Sequence, residues 1–377
     1  MTKYRFDEIA INSTQKKKPT EEDKVYYIGL EHIDPGCFDV VRWGSDVAPT
    51  GDKLLMQKGD VLFGKRRAYQ RKVAIAPFDG IFSAHGMVLR PNLKVIDANY
   101  FPFFISSDKF MDTAVRISVG GLSPTINWKD LARQEFELPS LDEQKVLAYK
   151  LWAAYRLKEA YKKLLVATDE IVKSQFIEMF GNPLSLNQKN ELKRLGECCI
   201  LNPRRPNIAL CDTDKVSFIP MPAVSEDGYL VDMTDEEYGK VKKGFTYFEN
   251  NDVLFAKITP CMENGKGAIV HGLTNGIGMG STEFHVLRPI NGISSPYWLL
   301  ALTRMPIFRE CAAKNMSGTG GQKRVSASYL DHFMVGLPAI EEQRRFEAIY
   351  RQADKSKFEL RKSIDAIDKV IKSLINN

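Results

Sequence analysis

The sequence predicts an α+β fold in which one unit is written twice. Each unit is a mixed β/α head followed by a long helix, and the two helices pair as an antiparallel coiled coil with pseudo-two-fold symmetry. Three observations lead there. The first is a repeat: LPSLDEQK (138–145) returns as LPAIEEQR (337–344), 199 residues later, with four of eight positions identical. ATDEIVKS (167–174) returns as AIDKVIKS (366–373) at the same offset, and VYYIGLEHID (25–34) has a counterpart in VSFIPMPAVS (216–225). DVLFGK (60–65) becomes DVLFAK (252–257), and MVLRP (87–91) becomes HVLRP (285–289). So long a period excludes a solenoid, whose repeats run about 20–50 residues.

The second observation is spacing. Asp60 and Arg90 are 30 residues apart, whereas Asp252 and Arg288 are 36 apart; Leu138–Ser174 and Leu337–Ser373 both span 36. Loops absorb insertions cheaply, whereas an insertion in a packed helix rotates its whole apolar stripe. A variable head on a fixed-length rod follows. The third is local pattern, short β-type runs in the heads against long helical runs after them. The expected divisions are 1–139 for the first head, 140–182 for its helix, 183–338 for the second head and 339–377 for its helix.

In chain order, VYYIGL, DVLFGK, KVAIAPF and GMVLRP read as strands of the first head between Gly and Pro turns, and VSFIPM, DVLFAK, GAIVHG and EFHVLRP as those of the second. YFPFFISSDKFMDTAVRI (100–117) and PYWLLALTRMPIFRECAAK (296–314) form the helical parts, each ahead of a glycine loop, VGGLSPTIN (119–127) or GTGGQKRVS (318–326). The first rod opens on a capping box, Ser140 with Glu143, and stops at Gly181 and Pro183. Its apolar residues fall at sevens: Leu147, Ala154, Tyr161 and Thr168, with Leu157, Leu164 and Ile171 between. The second is cleaner, with Phe346, Ile349, Ala353, Leu360, Ile364, Ile367, Ile371 and Leu374 at threes and fours. Each stripe either packs on its own head or against the other rod. At about 1.5 Å per residue each rod is roughly 60 Å long, too long for one head to cover, so antiparallel pairing with the heads held apart is expected.

A length of 377 residues suggests two to three domains, and an apolar fraction of 44% supplies their cores. No apolar run reaches the roughly 18 residues of a membrane span, and the start lacks the apolar stretch of a signal peptide. The expectation is a cytoplasmic protein with no membrane partner. Six cysteines without CxxC spacing read as reduced thiols. A net charge of +6 is compatible with nucleic acid but does not argue it.

Two stretches have the chemistry of a binding surface. GKRRAYQRK (64–72) sets Lys65, Arg66, Arg67, Arg71 and Lys72 around Tyr69 without an acid among them. Such a run either contacts DNA, where cations neutralise phosphates and Arg reads guanine edges, or is a solvated hairpin tip. If it continues a strand, Arg66 and Arg67 point opposite ways. GTGGQKRVS offers Gln322, Lys323 and Arg324 beside glycines that permit close backbone approach, or is a structural turn. Arg204, Arg205, Lys257 and Lys266 complete the candidate DNA-binding set.

The sequence carries no familiar catalytic motif. Gly265-Lys266 is followed by Gly267 rather than the Ser or Thr of a P-loop. GIGMGS (276–281) has the wrong spacing for a dinucleotide turn. Asn202-Pro203 continues Arg-Arg, which would not stack a flipped base, and no Pro-Asp precedes Glu191-Leu192-Lys193 to complete a nuclease motif. The five histidines show no ligand spacing. Neither a catalytic nor a metal site is expected.

The duplicated head–helix unit, the LPxxxEQ start of each rod, DVLF[GA]K, FIPMPAVSEDG (218–228), the glycine loops and SQFIEMFGNP (174–183) together resemble the specificity subunit of type I restriction–modification systems, over the entire chain. The resemblance implies that each head is a target recognition domain reading one half of a split, asymmetric double-stranded DNA site. It implies that the rods set the spacing and dock two modification (methyltransferase) subunits, with restriction (motor-nuclease) subunits joining the full complex. S-adenosylmethionine would sit on the methyltransferase, no cofactor on this chain, and the chain itself would be non-catalytic. The second head lacks a basic run as dense as 64–72, so contacts do not transfer from head to head. The specificity subunit of a type IIB-like system, an unfamiliar DNA-modifying enzyme and a protein scaffold stand as alternatives.

Overall fold

The structure, a computed structural model, describes residues 2–182, 190–319 and 321–376. Pro183, expected to help stop the first rod, and Gly320 of the second glycine loop lie outside the described residues. Two long helices dominate, α1 (Leu141–Phe180) and α2 (Ile340–Asn376). The chain forms two compact units, Met1–Lys162 with Arg361–Asn377, and Lys163–Leu360, so each unit holds one head and a portion of both helices. Among the described residues no helix is long and apolar enough to cross a membrane, and all six cysteines are free thiols.

In the first unit Thr2–Arg5 pairs with Glu135–Leu138, bringing together the two ends of the head. One four-stranded antiparallel sheet runs Ala10–Ser13, Met87–Pro91, Val61–Phe63, Val73–Ile75. The other runs Lys16–Lys17, Lys53–Met56, Gly80–Phe82, Tyr27–Ile28, with only its last pair parallel. DVLF is apolar without alternation because it is covered on both faces. Val61 and Phe63 pack with the aromatic residues of helices Phe101–Ser106 and Asp108–Arg116, while Leu62 faces Ile28, Met56 and Phe82 of the other sheet. Of VYYIGL only Tyr27–Ile28 is a strand; Val25 and Tyr26 end a 3-10 turn, Glu21–Tyr26, so that expectation is shortened.

The second unit repeats the plan. Glu191–Arg194 pairs with Met334–Leu337, and the first sheet runs Cys199–Leu201, Phe284–Pro289, Val253–Ala256, Gly267–Ile269. Val253 and Phe255 pack with Trp298 and Phe308 of the head helices, and Leu254 meets Ile219 and Phe248 of the second sheet. That sheet keeps the parallel pair, Lys215–Ile219 on Ile277–Gly280, but here the pair is central because the edge strand Thr234–Glu237 lies beside the former.

Two buried polar devices occur in both units. Asp60 takes a forked ion pair from Arg90 (2.7 and 2.9 Å), and Asp252 takes the same pair from Arg288 (2.8 and 2.8 Å). The unequal 30- and 36-residue separations are absorbed by loops between strands. The glutamine of LPxxxEQ ties each long helix to its head. Gln144 Nε2 donates to Val95 O (3.1 Å) and Pro139 O (2.9 Å), while its Oε1 accepts from Asp97 N (2.8 Å). Gln343 does the same with Ile293 O, Pro338 O (both 2.9 Å) and Ser295 N (2.8 Å). Both are fully buried, so all three bonds are required. The capping box of α1 is present, with Ser140 N donating to Glu143 Oε2 at 2.8 Å.

Within each unit α1 and α2 run antiparallel. In the first, Lys158 bridges to Asp368 at 2.6 Å, while Leu147, nearer the start of α1, and Leu374, nearer the end of α2, pack on the same core. In the second, Lys357 bridges to Asp169 at 2.9 Å, and Phe176 and Phe180 meet Phe346 at 5.4 and 5.5 Å. The two ion pairs are one pair written twice, since both lysines and both aspartates lie 199 residues apart. The stripe expected on α2 holds: Phe346 and Ala353 are buried, and Ile364, Ile367, Ile371 and Leu374 are half-buried. The stripe expected on α1 holds in part, since Leu147, Ala154, Tyr161 and Thr168 are half-buried, but the residues placed between them are corrected. Leu157, Leu164 and Ile171 are exposed, and the buried line is Ala148, Leu151, Tyr155, Val172, Phe176 and Phe180, with Lys158 and Asp169 bridging its middle. A search for apolar periodicity passes over a seam whose centre is charged.

Candidate nucleic-acid interface

DVLF[GA]K leads each head out of its central strand into a loop, and the glycine loop crosses that exit. In the first head Arg66 bridges to Thr125, Arg67 N donates to Pro124 O (2.7 Å) and Ile126 N to Lys65 O (3.0 Å). In the second, Ile258 bridges to Arg324, Thr259 N donates to Lys323 O (3.0 Å) and Val325 N to Lys257 O (3.0 Å). Each head thus sets the exit of its DVLF[GA]K strand and its own glycine loop at one corner, which holds residues 64–72 in the first head and 318–326 in the second. The glycines make the crossing possible: Gly318 has φ +136°, and a Cβ there would stand 2.4 Å from the Gln322 carbonyl. Its counterpart Gly120 has φ +117°.

Residues 64–72 are not a strand, so the expected alternation of Arg66 and Arg67 is corrected. A 3-10 turn, Ala68–Gln70, is flanked by Arg67 and Arg71, both left-handed with φ of 55° and 52°. The turn divides the basic run by role. Arg71 donates to Ser106 O (3.1 Å) and Asp108 Oδ1 (2.6 Å), and Lys72 Nζ to Leu30 O (2.6 Å); both brace the head. Lys65, Arg66 and Arg67 face the corner. Arg67 Nε reaches Ser123 Oγ at 3.2 Å and Arg66 Nη1 lies 3.3 Å from His85 Nε2. Among the described residues no carboxylate pairs with any of these three cations, and Tyr69 stands exposed on the turn.

Burial and then the surrounding cations depress the titrating groups at this corner. Burial, then the charges of Arg66, Lys65 and Lys53, hold His85 below the usual histidine range. Burial and then Lys16 lower Lys65. At the corresponding corner of the second head one cation is paired. Arg324 forks onto Glu283 (2.9 and 2.8 Å), and that contact is the leading cause that lowers the carboxyl. Gln322 and Lys323 remain exposed there and Lys257 half-exposed. Lys266 is half-exposed at the head of strand Gly267–Ile269. Arg204 is exposed, whereas Arg205 leans over the Tyr238 ring (6.0 Å) and donates to Lys242 O, away from the glycine-loop contacts.

Sequence reasoning missed His85, Lys53 and Glu283. His85 and Glu283 are equivalent, each three residues ahead of the repeated VLRP run's first position, so the duplication itself carried the signal. Among the described residues no cluster of His, Cys, Asp and Glu could hold a metal ion.

The family model described as the type I restriction modification DNA specificity domain matches residues 4–165 and 187–367. The chain is similar to the specificity subunit of the Escherichia coli type I restriction enzyme EcoAI, 38% identical over 170 residues, covering 44% of this chain and 29% of that relative. It is similar to the Escherichia coli EcoEI specificity subunit, 34% identical over 200 residues, covering 51% of this chain and 33% of that one. The matches thus span about a third of these relatives' length. In fold it is similar to the Type-I restriction-modification system S subunit from M. genitalium, with a TM-score of 0.57, 14% identity, and 99% and 94% of the two chains covered. A chain from a study of complex assembly and conformational transition of the type I R-M system gives a TM-score of 0.54 at 17% identity, with 99% and 96% covered.

Proposed function

The chain belongs to the family of type I restriction modification DNA specificity domains, and we propose that it is the non-catalytic sequence-recognition subunit of such a system. Each head reads one half of a bipartite, asymmetric double-stranded DNA site. One observation carries this reading: the heads share their buried machinery to the hydrogen bond, yet the same corner holds an unneutralised Arg66–His85 cluster in one and a closed Arg324–Glu283 pair in the other. A common frame presenting unlike side chains is what reading two unlike half-sites requires. Two heads on one chain make binding bivalent, so modest half-site affinities multiply through effective concentration.

On this reading α1 and α2 set the gap between half-sites and dock two modification subunits, which carry S-adenosylmethionine; restriction subunits complete the assembly. The chain binds no cofactor itself and works in the cytoplasm. Methylome sequencing of a host with and without this gene tests it. The expected result is one methylated motif of two unlike halves around an unread gap, present only with the gene. An unchanged methylome, together with salt-independent DNA binding of the chain and its methyltransferase, would overturn it.

A further inference from the structure

The second unit contains a cationic cavity that recognition of DNA by the head corners does not use. It has a volume of about 270 Å³ and lies where the head helices Pro296–Arg304 and Pro306–Lys314 meet α1 and α2 within that unit. Arg304 and Arg309 are its centre. Backbone carbonyls hold one end of each guanidinium, Arg304 Nη2 on Glu226 O (2.9 Å) and Arg309 Nη1 on Glu263 O (2.7 Å). The Nε of each is buried without a hydrogen-bond partner, and so is the hydroxyl of Tyr350, a side chain only 3% exposed that lines the same cavity. Leaving such a donor buried and unpaired is costly, and three of them share one space.

The surroundings are shaped for the guanidiniums. Gly228 and Gly265 have φ of +88° and +80°, and a Cβ on either would come within 2.8 Å of Arg304 Nη1 or Arg309 Nη1. The carboxylates of the lining have other partners: Asp169 takes Lys357 (2.9 Å) and Glu226 takes Asn264 Nδ2 (2.8 Å). Among the described residues no carboxylate pairs with Arg304 or Arg309 within 4.0 Å, although Asp227 also lines the cavity. Burial and then the Arg304 charge lower the pKa of Arg309, against the smaller opposing effects of Glu226 and Glu310. Burial pushes the Tyr350 hydroxyl up to about 12, which keeps it a proton donor at neutral pH. None of this belongs to the duplicated scaffold. At the equivalent helix positions the first head has Ser106 and Met111.

We propose that this cavity binds a small phosphate-class oxyanion, with Arg304 and Arg309 supplying the charge and Tyr350 a hydroxyl donor. Two guanidiniums suit such a group because their planar forks match its oxygens. The buried donors favour a molecule small enough to enter over a DNA backbone passing outside. Free phosphate and the phosphate chain of a nucleotide share this chemistry. The inference does not rest on the proposed DNA-reading role.

Titration of the full chain with sodium phosphate, pyrophosphate and ATP, at ionic strength held constant with chloride, tests it by ³¹P NMR and calorimetry. Saturable binding in the millimolar range or tighter is expected. Arg304→Gln and Arg309→Gln should each weaken it at least tenfold, and the isosteric Tyr350→Phe about tenfold. Arg116→Gln, on an exposed site of the first head, should leave it unchanged. Tighter binding of ATP than of phosphate assigns a nucleotide, and equal binding assigns the free anion. Absence of saturable binding, or equal binding by the wild type and a folded Tyr350→Phe variant, would overturn the proposal.

Discussion

Arg66 and His85 are a coupled pair, and their coupling can be measured. His85 is held low by burial, assisted by Arg66, Lys65 and Lys53. Arg66→Ala removes the leading charge, so the His85 pKa should climb toward its ordinary value, read from the imidazole NMR signals. A phosphate placed at this corner acts in the same direction, because it favours the charged imidazolium. DNA binding by the wild type should therefore take up a proton and strengthen as pH falls from about 8 to about 6. Arg66→Ala should weaken that binding and flatten its salt dependence by about one ion. An unmoved His85 signal and wild-type salt slope would return this stretch to a solvated turn. At this scale the sequence displayed the basic run but not its division. Left-handed Arg67 and Arg71 decide which cations face out, and the partners that occupy Arg71 and Lys72, Asp108 and Leu30, are remote in sequence.

The two long helices were legible in length, direction and anchoring, because capping, a fixed 36-residue spacing and LPxxxEQ are local facts. The buried face of α1 was not. Apolar residues occur on several sides of that helix, and the side chosen depends on Tyr155 reaching Phe38 N (2.9 Å) and on Phe176 and Phe180 meeting Phe346. Leu164→Asp, expected from periodicity to break the pairing, should instead leave the melting temperature nearly unchanged, since Leu164 is exposed. Lys357→Ala should cost about 3 kcal/mol, at the lower end for a broken buried ion pair because Asp169 keeps a quarter of its side chain exposed. Thermal or denaturant unfolding of both variants gives the comparison. Equal losses would restore the apolar seam.

For the whole molecule, the proposed reading is divided by head while the frame is shared, so exchange of one head is the informative operation. Replacing residues 1–138 or 190–337 with the equivalent segment of another member of the family should rewrite one half of the methylated motif and preserve the other half and the gap. Methylome sequencing of each chimera measures this, and a change in both halves would contradict the assignment. The sequence by itself determined the duplication, the alternation of head and helix, the strand character of DVLF and the lack of familiar catalytic motifs. Each of these is written in local pattern or in a constant offset. Tertiary structure alone decided that the glycine loop crosses the exit of DVLF[GA]K, that Glu283 silences Arg324 where His85 leaves Arg66 charged, and that Arg304 and Arg309 share a cavity with Tyr350. Apart from the neighbouring Arg304 and Arg309, those pairings join residues from 19 to 68 positions apart across strands and helices. Their charge balance exists only once the chain has folded.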